Sequence, residues 1–554
     1  MNTKKYSPLK ISSMIGIPVA LLFVVYLLRP LSIIHSLLMG LYRIEVIWVP
    51  ALLVSLAVLA LSLVAKRLFT GKWLSVTNNR NFNSDDLALW PAGLAFLAGF
   101  VTFIVCLTMV GGWRGEAIYH NAQWENLSPK GLQTADARLA PYEVWHNRAN
   151  AQFTESGQTL ENAHLTTNPK TGDFEVSFER APRGFMNGLK KTTPGGAYMN
   201  VESTAPRLEV PQTQGNFKVG VTNCCSDSLD WKTTKQDFWV SNQETVALRK
   251  PDGEQVFVTP YFKWEGLIRR PVAGGVWVLH RDGKIDNLSP QAAAKLPWLR
   301  QSGHIVSEEL ARRIQNSYVW KNGIINNTPF GSKQDLIKVT DVSEGTGDGT
   351  ASDTPPNTQP YLMNMNKQGL VWATIASPQG RANAVSAVFL TSTVTGKTSV
   401  VRAPKGVLWI DNDRAIQIVK SRPYPGVQWS AGNYRAVEPR PLFIKGRLQY
   451  LVSIIPDSGI AVTRSVIVDA QDAEVVATFN HDDNRAASDE ALREYIRTGK
   501  LQPDGQIVTA GPDQKIIPST PGKTRSDRQI LQQLIQENER QHKILQELLA
   551  RQKN

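Results

Sequence analysis

Lys445–Thr478 reads KGRLQYLVSIIPDSGIAVTRSVIVDAQDAEVVAT, and Gly369–Ala403 contains GLVWATIASPQGRANAVSAVFLTSTVTGKTSVV. At an offset of 79 residues Ile375 aligns with Ile454, Gly380 with Gly459 and Ser386 with Ser465. Each copy reads as a strand of alternating apolar residues, a glycine-containing loop, and a second alternating strand running into a turn. A looser third copy spans Asp252–Ile285, with Gln255–Trp264 as first strand and Gly275–Leu279 leading into His280-Arg281-Asp282-Gly283. Asp282-Gly283 and Asn322-Gly323 are hairpin-turn dipeptides, because both central residues of a type I′ turn take positive φ. A strand pair buries one face and is barely stable alone, so each hairpin is expected to pack a helix or another hairpin.

Short helices fall between the hairpins. Ser289-Pro290 sets an N-cap and a proline at the first helical position ahead of Gln291–Leu296. Ser307, followed by Glu308 and Glu309, opens a helix that ends near Arg312 and Arg313, with charges that suit the helix dipole. Ser488–Thr498 reads as another helix, closed by Gly499. Asp411-Asn412-Asp413 follows Val407–Ile410 as a strand-to-turn exit. Pro/Gly/Ser-rich 343–360 reads as a linker that divides a β-rich α+β domain at 113–342 from an α+β domain with two hairpin repeats at 361–500. Beyond a tether at 501–525, residues 526–552 form an amphipathic helix or short coiled coil with Ser526 as N-cap. Leu531, Leu534, Asn538, Gln541, Leu545 and Leu548 fit its a and d positions, and of these Leu531, Leu534, Asn538, Leu545 and Leu548 are the expected contacts for a partner or a second copy. The alternative is a helix packing on its own domain or on a membrane.

Residues 1–112 carry three apolar runs, 11–28, 46–65 and 87–110, each long enough to cross a bilayer as a helix. Lys4, Lys5, Lys10, Lys66, Arg67, Lys72 and Arg80 place the N-terminus and the second loop in the cytoplasm, and hence the large C-terminal part outside an inner membrane. Leu31–Tyr42 is also apolar and reads as a re-entrant or interfacial stretch; if it crossed, the large part would face inward. The expected fold is therefore α+β, with N-terminal transmembrane helices, tandem hairpin/helix units and a C-terminal helix, and the lipid bilayer as a partner.

The formal net charge of +13, from 61 Lys and Arg against 48 Asp and Glu, is spread along the chain without a basic block, which argues against nucleic acid. Cys106 lies in the third apolar run, and a disulfide between the neighbours Cys224 and Cys225 would be strained, so free or intermolecularly paired thiols are equally open. No P-loop, G-x-S-x-G or H-E-x-x-H occurs, and no catalytic, cofactor or metal residues are assigned. His481-Asp482-Asp483 reads as a solvated turn rather than a metal site, because contiguous residues seldom converge on one ion. Trp277 and Trp372, inside alternating strands, read as core.

The second strands, as in Val466-Ile467-Val468-Asp469, close on Val-Asp and resume after a short turn at Glu474-Val475, a rhythm that resembles PepSY-type repeats. With the aromatic segment Tyr119–Trp124 and the apolar N-terminus, the pattern over about residues 90–480 is similar to large multi-spanning bacterial and phage membrane proteins with such repeats. The resemblance implies a PepSY-like α+β architecture and an inhibitory or protein-binding role, and brings no catalytic residues. Leu390 stands where the other copy has Asp469. The expected function is a non-catalytic, membrane-anchored extracytoplasmic binding or scaffold protein acting through protein–protein contacts. The alternatives are a component of a larger membrane machine, secretory or phage-encoded, and an envelope hydrolase.

Overall fold

The computed structural model describes most of residues 111–501, apart from 185–191, 340–358, 379–383 and some shorter stretches, together with parts of 23–42. After a helix over 111–121, β1 (Trp124–Leu127) and β2 (Thr134–Asp136) precede α1 (Tyr142–Gln152). A meander follows: β3 (Gln158–Thr167), β4 (Phe174–Pro182), β5 (Gly196–Asn200) and β6 (Leu208–Glu209). Helix α2 (Leu229–Gln236) leads into β7 (Val240–Asn242), β8 (Val246–Arg249), β9 (Gln255–Glu265), β10 (Arg270–Leu279) and β11 (Ile285–Leu288). Helices α3 (Pro290–Ala294), α4 (Pro297–Ser302), α5 (Glu308–Asn316) and α6 (Gly323–Asn327) come next. They are followed by β12 (Ile337–Val339), β13 (Tyr361–Met365), β14 (Gly369–Pro378), β15 (Ala384–Val385), β16 (Ala387–Ser392), β17 (Thr398–Val401) and β18 (Trp409–Ile410). Helix α7 (Asn412–Lys420) introduces β19 (Tyr434–Ile444), β20 (Arg447–Pro456), β21 (Arg464–Asp469) and β22 (Glu474–Asn480), and α8 (Arg485–Thr498) closes the described chain.

These strands form five sheets. Four of them are built on antiparallel meanders, each with a helix ahead of it in the chain. The copies read from sequence are the central hairpins β14/β16, β20/β21 and β9/β10, and β4/β5 is a fourth that sequence comparison did not reveal. β12 and β13, on either side of 343–360, both pair with β14, so one sheet continues across that stretch. Asn322-Gly323 makes no hairpin: it joins a 3-10 turn to α6, and Gly323 takes φ +83° there.

Alternation explains the stacking. In β20, Leu448, Tyr450, Val452 and Ile454 point into a core shared with Val371, Ala373 and Ile375 of β14 and Ala415 and Val419 of α7. Leu451, on the other face, meets Leu492 and Ile496 of α8. Both faces of the sheet are thus covered, which is why its strands read as nearly continuous apolar runs. Each fully buried side chain of this kind contributes about 1.5–3 kcal/mol. The ends of the helices follow local chemistry: Ser289, Ser307, Asp411 and Asn484 accept from backbone N–H groups in the first turns of α3, α5, α7 and α8. Gly499, at φ +62°, stops α8.

The fold expectation is corrected in three respects. The described chain is mainly β-sheet, with short helices packed between sheets rather than independent hairpin/helix units. The sheets share cores, and one sheet takes its two edge strands, β1 and β2, from a segment more than 200 residues before its central strands. Among the described residues no helix is long and apolar enough to cross a membrane. The spans expected at 46–65 and 87–110, most of 11–28, Cys106, Cys224, the tether and the C-terminal helix with Leu531, Leu534, Asn538, Gln541, Leu545 and Leu548 lie outside the described residues. The described part of 31–42 packs on protein. Met39 is buried beside Ile118, Phe262, Trp264 and Leu310, and Tyr42 lies 4.4 Å from the Trp239 ring.

Candidate functional site

Among the described residues, three buried polar clusters and two cavities stand out for the chemistry their side chains could support. The first cluster has the residue types of a hydrolase. β21 places Ser465 opposite Ser453 and Phe479, and the chain leaving β22 turns His481 inward, fixed by its N–H to Thr463 O at 2.9 Å. His481 Nε2 lies 2.9 Å from Ser465 Oγ, and Nδ1 lies 3.1 Å from Asp489 Oδ1 in the first turns of α8. A nucleophile, a base and a carboxylate thus stand in series. Ser465, His481 and Asp489 are 0 %, 1 % and 4 % exposed, however, so no substrate reaches the hydroxyl. Asp489 is occupied elsewhere as well. It accepts from Thr204 N (3.1 Å), Thr204 Oγ1 (2.7 Å) and Ser203 Oγ (3.1 Å). Burial acts to raise its carboxyl, but the bonds from His481 and Thr204 outweigh that and hold it below the usual range. The arrangement fastens α8 and the 203–204 turn to the sheet.

The solvated turn expected at His481-Asp482-Asp483 is therefore corrected at its first residue. Asp482 pairs with Arg464, Asp483 accepts from Asn480 Nδ2 at 2.8 Å, and only His481 goes inward. Among the described residues no group of three His, Cys, Asp or Glu side chains could hold a metal ion. Ser465, His481 and Asp489 sit too far apart in sequence for any motif to announce them. Only the fold brings them together.

The second cluster joins two sheets. His304, 1 % exposed, sets Nε2 2.9 Å from Leu165 O of β3 and Nδ1 3.6 Å from Glu244 Oε1, between β7 and β8. The Glu308 N–H at the start of α5 donates to the same Glu244 oxygen at 3.0 Å, and Arg312 bonds Glu308 at 2.5 Å. Burial pushes His164 down to about 4, so it is neutral at physiological pH. Burial opposes ionisation of Glu244, yet the hydrogen bond and charge of His304 hold its carboxyl low.

The third cluster is a carboxyl pair. Asp136 ends β2, and Glu202, 5 % exposed, follows β5. Glu202 Oε1 accepts from Phe174 N at 2.7 Å, and Arg493 of α8 stands 3.8 Å from Oε2. Burial and then the neighbouring Asp136 push Glu202 up to about 8, and burial raises Asp136 too, so the two share a proton at neutral pH.

The cavities differ in character. One of about 250 Å³ opens between Met39, Phe262 and Trp264, with Asp230 and Arg313 on its wall. Its polar groups are largely engaged internally: Trp264 Nε1 donates to Ser241 Oγ at 3.0 Å, and Asn242 Nδ2 to Asp230 Oδ1 at 2.9 Å. The other, of about 290 Å³, lies where the turn at Gly172, the end of α4 and the β13–β14 turn meet. Arg300 and Gln301 stand at its rim, Asn364 and Gln368 on its side, and Leu370 and Val394 on its apolar lining. Trp277 and Trp372 are buried core residues, at 0 % and 2 % exposure, whereas Trp239 is 51 % exposed. No family model, no curated protein and no solved structure matches this chain, and nothing in those comparisons bears on the PepSY-like resemblance.

Proposed function

We propose that this chain is a non-catalytic binding or scaffold protein that works through protein–protein contacts. The observation that carries this reading is the burial of its reactive groups. Ser465, His481, Asp489, His304 and Glu202 all tie elements of the fold together and present nothing to solvent. What remains accessible is a body of interlocked sheets with a junction cavity lined by an arginine, carboxamides and aliphatic side chains, which is a surface for recognition rather than for bond cleavage. The test is capture of the full chain from cells that express it, followed by mass spectrometry. A partner recovered in near-equal amount supports the reading, and recovery of the chain alone under mild and cross-linked conditions overturns it.

One observation favours a second reading, that of a hydrolase: the Ser465–His481–Asp489 series itself. A fluorophosphonate probe separates the two. The binding reading expects no labelling of Ser465 in the folded protein, and labelling abolished by Ser465→Ala would establish the hydrolase.

A further inference from the structure

The Arg300 cavity differs from every other polar site described above in that its polar groups are unspent. The Arg300 guanidinium makes no ion pair or hydrogen bond among the described residues, and neither do the side-chain amides of Gln301, Asn364 and Gln368. No acidic residue lines the cavity, so its wall carries an uncompensated positive charge. The site is nonetheless firmly built. Thr167 of β3 donates its hydroxyl to Gln301 O and fastens the end of α4 to the edge of that sheet. Asn364 and Gly369 are held by the β13–β14 register, in which Asn364 pairs with Leu370 and Met365 with Gly369. Gly369 takes φ +69°, which lets the turn at the cavity mouth close with no Cβ in the opening.

Each group points to a part of one ligand. A guanidinium with free donors matches a carboxylate, which it can bind through two parallel N–H bonds. Carboxamides both donate and accept, as a peptide amide requires. Leu370 and Val394 offer aliphatic surface beside these groups. At about 290 Å³ the cavity is at the lower limit of ligand pockets, which run from about 300 Å³ upward, so it admits about one residue rather than a long segment. A carboxylate, an amide and an apolar side chain occur together on one residue only at the end of a polypeptide. An aspartate or glutamate side chain supplies the carboxylate in place of the apolar group. We infer that this cavity receives the carboxy-terminal residue of a partner protein whose last side chain is apolar. The inference rests on the protein-binding reading and names the part of the partner that is recognised.

The probe is N-acetyl-leucine, which carries all three groups, titrated into the full-length protein by ligand-observed NMR. Saturable binding with a Kd on the order of millimolar is expected for a ligand of this size. N-acetyl-leucinamide and the variant Arg300→Gln should each weaken binding at least about tenfold, since each removes one side of a charge-assisted pair. Arg300→Lys should recover part of the loss. Arg300 is exposed, so these variants test the site without disturbing the core. Three results would overturn the proposal: no saturable binding, equal binding by Arg300→Gln, or equal binding of N-acetyl-glutamic acid α-amide, whose only carboxylate is on its side chain. Capture with wild type and Arg300→Gln in parallel separates this failure from failure of the wider reading. A partner held equally by both, with no N-acetyl-leucine binding, removes the cavity from the account and leaves protein binding in place.

Discussion

Replacing Asp489 by alanine tests whether the Ser465–His481–Asp489 series is a structural fastening. Asp489 accepts three hydrogen bonds from Ser203 and Thr204 and lies 3.1 Å from His481 Nδ1. Thr204 is 0 % exposed and His481 1 %, so water cannot replace the lost carboxylate at either. Each buried group left without its partner costs about 1–3 kcal/mol. Thr204 and His481 both lose theirs, so Asp489→Ala should lower stability by about 2–6 kcal/mol. Asp489→Asn keeps an acceptor for Thr204 and should cost about half as much. Urea unfolding followed by circular dichroism measures the total. Amide exchange across α8 locates it, because α8 is the element the carboxylate holds. The pH dependence has a definite sign. The Asp489 carboxyl is held below its unfolded value, so its contribution is present above about pH 4 and is lost as pH falls through the folded value. A change below about 1 kcal/mol, or faster exchange everywhere except in α8, would refute the structural assignment.

The carboxyl pair predicts the opposite slope. Glu202 is raised to about 8, so its contribution is full below about pH 4.5 and is lost as pH rises toward 8, a change of a few kcal/mol that Glu202→Gln should flatten in a series of melting curves. Parallel curves for the two proteins would show that the pair does not share a proton. Trp277 is fully buried, stacks on Tyr261 at 4.9 Å and donates to Asn242 Oδ1 at 3.1 Å. Trp277→Ala should therefore cost about 3–5 kcal/mol in urea unfolding, and Trp277→Phe, which keeps the ring contact, clearly less. Ser465→Ala removes only one hydrogen bond at a buried position and should cost about 1–2 kcal/mol. A much larger effect on activity toward any ester than on stability would contradict the reading of Ser465 as structural.

Local chemistry was legible where neighbours in sequence decide the outcome. The alternation of Val371, Ala373 and Ile375 against Trp372 marks β14, and Leu448, Tyr450, Val452 and Ile454 mark β20. Ser289, Ser307 and Gly499 mark helix ends because a cap needs only one turn of chain. Three features were out of reach for reasons of distance or context. Trp124–Leu127 pairs in parallel with Thr398–Val401, a contact across some 270 residues that leaves no local period. Asn322-Gly323 has the composition of a hairpin turn, but no strands flank it, and the chain uses Gly323's positive φ to join two helical turns. His481 reads as part of a polar turn with Asp482 and Asp483, and only the register of β21 with β22 brings Ser465 to its ring. The free guanidinium of Arg300 was equally hidden, since an exposed arginine at a helix end is ordinary until its surroundings are known. Membrane-spanning helices were the strongest expectation from composition; the runs at 46–65 and 87–110 lie outside the described residues, and the described fold is one of stacked sheets.

On the proposed function, this chain acts by holding another protein. The most direct test is the mass of the native complex, measured by light scattering on full-length protein isolated from the cells that make it. A protein that works this way runs as a particle heavier than one chain, containing a second polypeptide or a second copy in fixed proportion. A particle with the mass of one chain at every concentration, both before and after cross-linking, would contradict it.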